Sequence, residues 1–395
     1  MRRFLLVLVA ILLSHTVALP AQAADRKPNE LTRAEIEAGW IRLFDGESLF
    51  GWKPNSKVDW HVRDGIIEAS EGEPGLLVTT TEFSDYELLC DFNLVKGGNS
   101  GVFLQTVFQP KDPAKDCYEL NLCDTRAKFG TGSFVGRQEP VKALKTEGEW
   151  HTFHVTAHGA KIQVRLDGAE ILAFDGKGDD CPMHGFIGLQ KNEGHVQFRN
   201  VFLRPLGLKP IFNGKDLSGW RVVPGGKSKF DVQDGAIHVT NGRGYLETEQ
   251  TWADFVMQAD VISNGKHLNS GFFFRALPGT EKNPAEGYES QIRNEWTGDD
   301  RNKPVDFGTG GIYRRVPTRR VVSSDHQWFT ETLIAQGAHI AVWIDGYQTA
   351  DWTDTRAPNE NARNGLRLEA GHISLQGHDP TTDLSFKNLR IVPVK

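Results

Sequence analysis

The chain has 395 residues, with 45 Lys and Arg against 51 Asp and Glu, for a formal net charge of −6. Its basic residues cluster only at Arg314-Arg315 and Arg319-Arg320, a pattern that reads as a solvated loop and excludes the electrostatic footprint of a nucleic-acid binder. Beyond the N-terminus no apolar run approaches the roughly 20 residues that a membrane-crossing helix needs, so no membrane span is expected.

In chain order, Arg2 and Arg3 precede an apolar run over residues 4–13, and Ala21-Gln22-Ala23 has the small-x-small pattern read by signal peptidase. This predicts a signal peptide over 1–23, a mature chain from Ala24, and export to a periplasm or the extracellular space. No Cys follows the cleavage point, which argues against a lipoprotein. Residues 24–39 form a lead-in segment with one short helix, since Thr32 and Glu35 have capping-box spacing and Gly39 can end the element.

The rest of the chain states one pattern twice. Leu43-Phe44-Asp45-Gly46 through Gly51-Trp52 returns as Ile211-Phe212-Asn213-Gly214 through Gly219-Trp220, from 43 to 211, 168 residues on. Asn99-Ser100-Gly101-Val102-Phe103 returns as Asn269-Ser270-Gly271-Phe272-Phe273, and Gly188-Leu189-Gln190 as Ser374-Leu375-Gln376. Solenoid units repeat every 20–50 residues or so, so this longer period means two tandem domains, 40–206 and 207–395, each able to enclose a core. The linker at 206–210 is so short that the two should touch.

Within each copy, short alternating runs such as 86–92 and 161–166 are broken by Gly and Asp-Gly, which predicts an all-β antiparallel sandwich. Asp64-Gly65, Asp167-Gly168, Asp234-Gly235 and Asp345-Gly346 sit where hairpins would turn. Trp52, Trp60, Trp150, Trp220 and Trp328 recur at equivalent positions or near strand starts and read as packing residues. All four cysteines, Cys90, Cys117, Cys123 and Cys181, lie in the first copy, so an oxidising compartment would permit disulfides that the fold does not require.

The segment from 31 to Trp52, the Asn99 to Gln105 run, the Tyr-Glu strands, the pairs Thr131-Gly132 and Thr309-Gly310, and the closing run from Gly188 to Val201 together resemble the 3-keto-disaccharide hydrolase family. The resemblance covers both copies. It implies two concanavalin A-like jelly-roll sandwiches and cleavage of the glycosidic bond in an oxidised disaccharide or glycoside, with carbohydrate as the partner. A non-catalytic glycan-binding protein on the same sandwich is the alternative.

If 288–295 is one extended strand, Glu289, Gln291, Arg293 and Glu295 share a face. The first copy carries Glu119 and Asn121 there, with Asp124 at the strand end. Such a face reads as a sugar-binding floor, with Trp296 as the stacking candidate. Two residues on one strand six positions apart lie about 20 Å from each other. That is too far for the carboxyl pair of ordinary glycoside hydrolysis, which needs about 5–9.5 Å.

A ketone at C3 acidifies the C2 hydrogen, so one base, one enolate partner and one leaving-group acid suffice. Glu119 and Glu289 are the candidate bases, Arg275 or Arg293 the enolate partners, and Tyr313 and His378 the acids. Asn99, Gln105, Asn121, Asp124, Asn269, Arg275, Gln291, Glu295 and Trp296 are the substrate-binding candidates. The second copy retains more ionisable groups and is favoured as the active one. No cofactor is required by this route. A divalent metal stays open, although His151 and His154 face opposite sides of a strand, His154 and His158 lie about 13 Å apart, and His372 and His378 read as turn histidines.

Overall fold

The computed structural model describes residues 27–177 and 182–394, so the expected signal peptide and Cys181 lie outside the described residues. Among the described residues, four antiparallel sheets form two sandwiches, each an eight-stranded sheet packed on a five-stranded one. The five-stranded sheet of the first copy runs Trp52–Pro54, Gly75–Thr79, Phe186–Glu193, Asn99–Thr106, Tyr118–Leu122. In the second copy the order is Trp220–Val222, Gly244–Trp252, Gly371–Gly377, Ser270–Ala276, Tyr288–Ile292.

Alternation explains the layers. In the Tyr86–Leu94 strand, Tyr86, Leu88, Cys90, Phe92 and Leu94 are all fully buried in the first core while the residues between them are half-buried. Burying each large apolar side chain contributes about 1.5–3 kcal/mol. The four Asp-Gly pairs turn hairpins with both residues at positive φ, for example 51° and 77° at Asp64-Gly65 and 46° and 74° at Asp345-Gly346. Glycine adopts that geometry without Cβ strain, and Asp tolerates it. Trp52 and Trp220 are buried, and their indole N–H groups donate to Leu43 and Ile211 carbonyls at 2.5 and 2.9 Å. Trp150 and Trp328 lie under Arg199 and Lys387.

The helix spans Arg33–Glu37 and carries both hydrogen bonds of the capping box between Thr32 and Glu35. It belongs to the seam between the copies, where Arg33 reaches Asp345 at 3.1 Å. The seam is a continuation of the first core: Val256, Ile334, Ala341 and Trp343 of the second copy pack into it. Arg319 fixes it laterally, bonding Asp45 at 2.7 Å and lying over the Phe50 and Tyr347 rings. Lys209–Pro210 joins the second copy's long C-terminal strand, so the linker is pinned and the copies touch. Cys90, Cys117 and Cys123 are buried free thiols.

Candidate functional site

The register of the second five-stranded sheet builds the site. Tyr245 pairs with Gln376, and Gly271 pairs with Gln291. The next pairs, two residues along and therefore on the same face, are Glu247 with Ser374 and Phe273 with Glu289. The intervening residues Leu246, Leu375 and Phe272 fill the core, as does Tyr288 just before Glu289, which leaves these rows on the outer face. Gly271 keeps the centre open, because a Cβ there would lie 3.0 Å from the Glu289 carboxylate.

Glu289 is 5% exposed, and Arg363 donates to its Oε2 at 2.8 Å. Burial pushes its carboxyl up to about 7, against the opposing pull of Arg363 and of His378 at the rim. Arg363 lies 4.9 Å from the Phe273 ring centre and 5.6 Å from that of Tyr313. Tyr313 is tied to the same strand, its N–H donating to the Glu289 carbonyl at 2.9 Å. Gln291 and Asn269 both donate to Asp306, at 3.1 and 2.9 Å. The Oε1 atoms of Gln291 and Gln376 are buried without a partner and can accept from sugar hydroxyls.

Thus Glu289, Gln291, Asn269, Tyr313 and His378 come together, whereas other expected residues do not. The strand ends at Ile292, because the Thr309 hydroxyl takes the Arg293 N–H at 2.9 Å and turns the chain. Arg293 and Glu295 therefore leave the face and pair with each other at 2.8 Å. Trp296 is stacked on Arg301 at 4.1 Å, so one ring face is already occupied. Arg275 is a correction. It is fully buried, donates to the Ala253, Gly337 and Arg367 carbonyls and to Asp254, and holds the loop 354–370 from beneath.

The first copy shows the same skeleton with different side chains. Leu76, Gln190, Gly101 and Asn121 form one row, and Val78, Gly188, Phe103 and Glu119 the next. Burial raises the Glu119 carboxyl above its ordinary range, and its nearest partner is the Gln190 amide at 3.5 Å. Gln105, like Arg275, sits at positive φ and is spent on the Ser84, Gly159 and Met183 carbonyls. Asp124 is likewise consumed, by the Thr131 hydroxyl at 2.6 Å and the Thr146 N–H at 2.5 Å. Asn121 donates to Phe129, and Asn99 is buried at the strand start.

Sequence reasoning missed Arg363, Arg243, Tyr245, Phe273, Gln376 and Asp306. Gln376 was visible as a repeat, and Tyr245 stands where the first copy has Leu76. Arg363 gave no signal, since it sits on a loop of 17 residues between Thr353 and Gly371. The histidines near strands pair singly: His151 with Asp167 at 2.6 Å, His372 with the Thr248 carbonyl at 2.6 Å, His378 with Asp379 at 3.0 Å. Among the described residues, no three His, Cys, Asp or Glu side chains form a metal-binding group. A groove of about 460 Å³ lined by Phe212, Asn213, Thr248, Glu249 and Trp252 lies apart from this face and holds no acid–base pair.

These features define a tandem β-sandwich protein whose second copy presents a polar face around a buried carboxyl. The chain belongs to the family described as the 3-keto-alpha-glucoside-1,2-lyase-like domain, which matches residues 39–204 and again 207–392. A curated 3-keto-disaccharide hydrolase from Bacteroides thetaiotaomicron is 35% identical over 77 residues, covering 16% of this chain and 27% of that protein. A solved structure from Parabacteroides distasonis, provisionally described as a glycosyl hydrolase, is 24% identical with a TM-score of 0.41, covering 46% of this chain and all of the other. A galectin-like protein of unknown function from Bacillus subtilis is 12% identical, TM-score 0.30, covering 45% of this chain and 93% of its own.

Proposed function

We propose that the second copy cleaves the glycosidic bond of 3-keto-glycosides, with Glu289 as the base that takes the C2 proton and Arg363 as the cation that holds the enolate oxygen. The observation that carries this reading is the Glu289–Arg363 pair itself. A carboxyl pushed up to about 7 is basic enough to abstract an acidified proton near neutral pH, and the guanidinium 2.8 Å away is placed for the charge that develops. The partnerless Gln291 and Gln376 acceptors would orient the ring hydroxyls.

The chemistry closes without a second carboxylate. Glu289 removes the C2 proton, the enolate collapses, the C1–O bond breaks, and water then adds at C1 to give the free 3-keto sugar. The first copy, with Leu76 and Val78 on the equivalent face, fits a saccharide-binding partner of the active copy. We place the activity outside the cytoplasm on the strength of the Arg2-Arg3 and Ala21-Gln22-Ala23 signals.

The test is product analysis of the chain from Ala24 onward with 3-keto-trehalose or a 3-keto-glucoside beside the unoxidised sugar, with and without chelator. Release of 3-keto-glucose from the oxidised substrate alone is the expected result. Intact substrate across a panel of oxidised glycosides would replace this reading with glycan binding.

A further inference from the structure

We infer that Tyr245 is the acid that protonates the departing glycosidic oxygen and that Arg243 holds the phenolate it leaves behind. The inference rests on the 3-keto-glycoside reading and supplies the leaving-group acid that it requires. The Gln376 Nε2 donates to the Tyr245 hydroxyl oxygen at 3.2 Å and the Arg243 Nε at 3.4 Å. A guanidinium has no acceptor, so the Arg243 bond fixes the phenol oxygen as the receiving atom. With that oxygen accepting two N–H groups, no described protein acceptor takes the phenol's own hydrogen, which is free to be given to a ligand on the face.

The surroundings select for this role. Tyr245 is 2% exposed and its ring meets Phe273 edge-on at 5.5 Å, which fixes the phenol above the floor that Phe273 shares with Glu289 and Arg363. Arg243 makes no ion pair with a carboxylate among the described residues, so its charge is available to a phenolate. Tyr245 pairs with Gln376, and Gly271 with Gln291, in one row of the sheet, and Glu289 stands in the next row of the same face opposite Phe273, which places base and acid on one site. A pyranose over Gly271 would thus have Glu289 on one side and Tyr245 on the other. In the first copy these positions hold Pro74 and Leu76, and neither function can be performed.

The steps balance. Glu289 accepts the C2 proton, the electron pair passes through the enolate to form C1=C2, the C1–O bond breaks, and Tyr245 gives its proton to the leaving oxygen. In the return half, water adds its oxygen to C1, Tyr245 recovers a proton from that water, and Glu289 returns its proton to C2. No oxidant or further reactant is consumed.

The test compares two leaving groups on the full protein: a 3-keto methyl glucoside, whose alkoxide needs protonation, and a 3-keto p-nitrophenyl glucoside, whose phenolate does not. Tyr245→Phe is expected to lower kcat on the methyl glycoside by about 100-fold or more and on the nitrophenyl glycoside by less than about 3-fold. Arg243→Met, an exposed position that spares the fold, should show the same selectivity with a smaller loss. Equal losses on both substrates, or no loss, would overturn the assignment. A wild-type protein inactive on both glycosides would instead overturn the underlying function, and the role of Tyr245 with it.

Discussion

The two copies share a backbone and differ in what the backbone carries. Glu119 and Glu289 occupy the same register position opposite Phe103 and Phe273. The first has an amide 3.5 Å away and the second a guanidinium at 2.8 Å. Around Glu289 stand Tyr245, Arg243 and Tyr313, while Leu76, Pro74 and Val135 hold the equivalent positions around Glu119. A buried carboxyl in this fold is thus an inherited feature. What distinguishes the second copy is a loop long enough to bring an arginine to that carboxyl and a strand that exchanges Leu for Tyr.

The largest expected effect tests that division directly. Glu289→Gln should reduce turnover of a 3-keto-glycoside by about 10³–10⁴-fold, the upper range for a lost general base, while Glu119→Gln stays within about twofold. The reverse pattern would exchange the roles of the copies. In the wild type, kcat/KM should rise with pH through about 7, because the base works only when Glu289 is ionised.

Next in size is Arg275→Met, which removes a fully buried guanidinium from three carbonyls and Asp254. Breaking such a buried network costs about 3–5 kcal/mol. The loop 354–370 that delivers Arg363 should loosen with it, seen as faster amide exchange there. Gln105→Met, at the matching bulge of the first copy, should cost only about 1–3 kcal/mol, the desolvation left by a neutral amide. Similar losses at both positions would mean that the loop does not depend on Arg275. Arg363→Ala should then lower kcat by about 100-fold with the fold intact. Since Arg363 holds the Glu289 carboxyl down, its removal should also move the rising limb of the pH profile upward.

Much of this was legible in the sequence, and the residues show where legibility ends. The doubled pattern, Asp-Gly hairpins and capping box are local signals, and the structure carries each of them. Glu289 and Gln291 could be placed on one face by strand alternation, and Tyr313 by the resemblance, which expects a Tyr shortly after the Thr309-Gly310 pair. Arg275 and Gln105 misled because a positive-φ bulge turns them away from the face that alternation assigns. Arg293 and Glu295 misled because a hydroxyl 16 residues away ended the strand early. Arg363 was hidden because it comes from a 17-residue loop whose equivalent in the first copy, 176–185, is only ten residues long, so no repeat marks it and only the folded chain relates it to Glu289.

The smallest effect concerns the cores. Glu331 is fully buried with neither carboxyl oxygen hydrogen-bonded, at the position where the first copy has Phe153. Burial pushes it up to about 8 from an ordinary 4.5, and the nearby Ser290 offsets little. The folded chain therefore keeps this proton over a range where the unfolded chain loses it. Stability is fully present below about 4.5, falls as pH rises, and levels off above about 8. Glu331→Gln cannot ionise, so its melting midpoint relative to the wild type should rise steadily across this window and level off above it. A margin independent of pH would show that Glu331 does not titrate there. Phe153→Glu should import the same slope into the first copy, since the neighbouring strands pair in the same register, Phe153 with Cys90 and Leu166, Glu331 with Ala259 and Ile344.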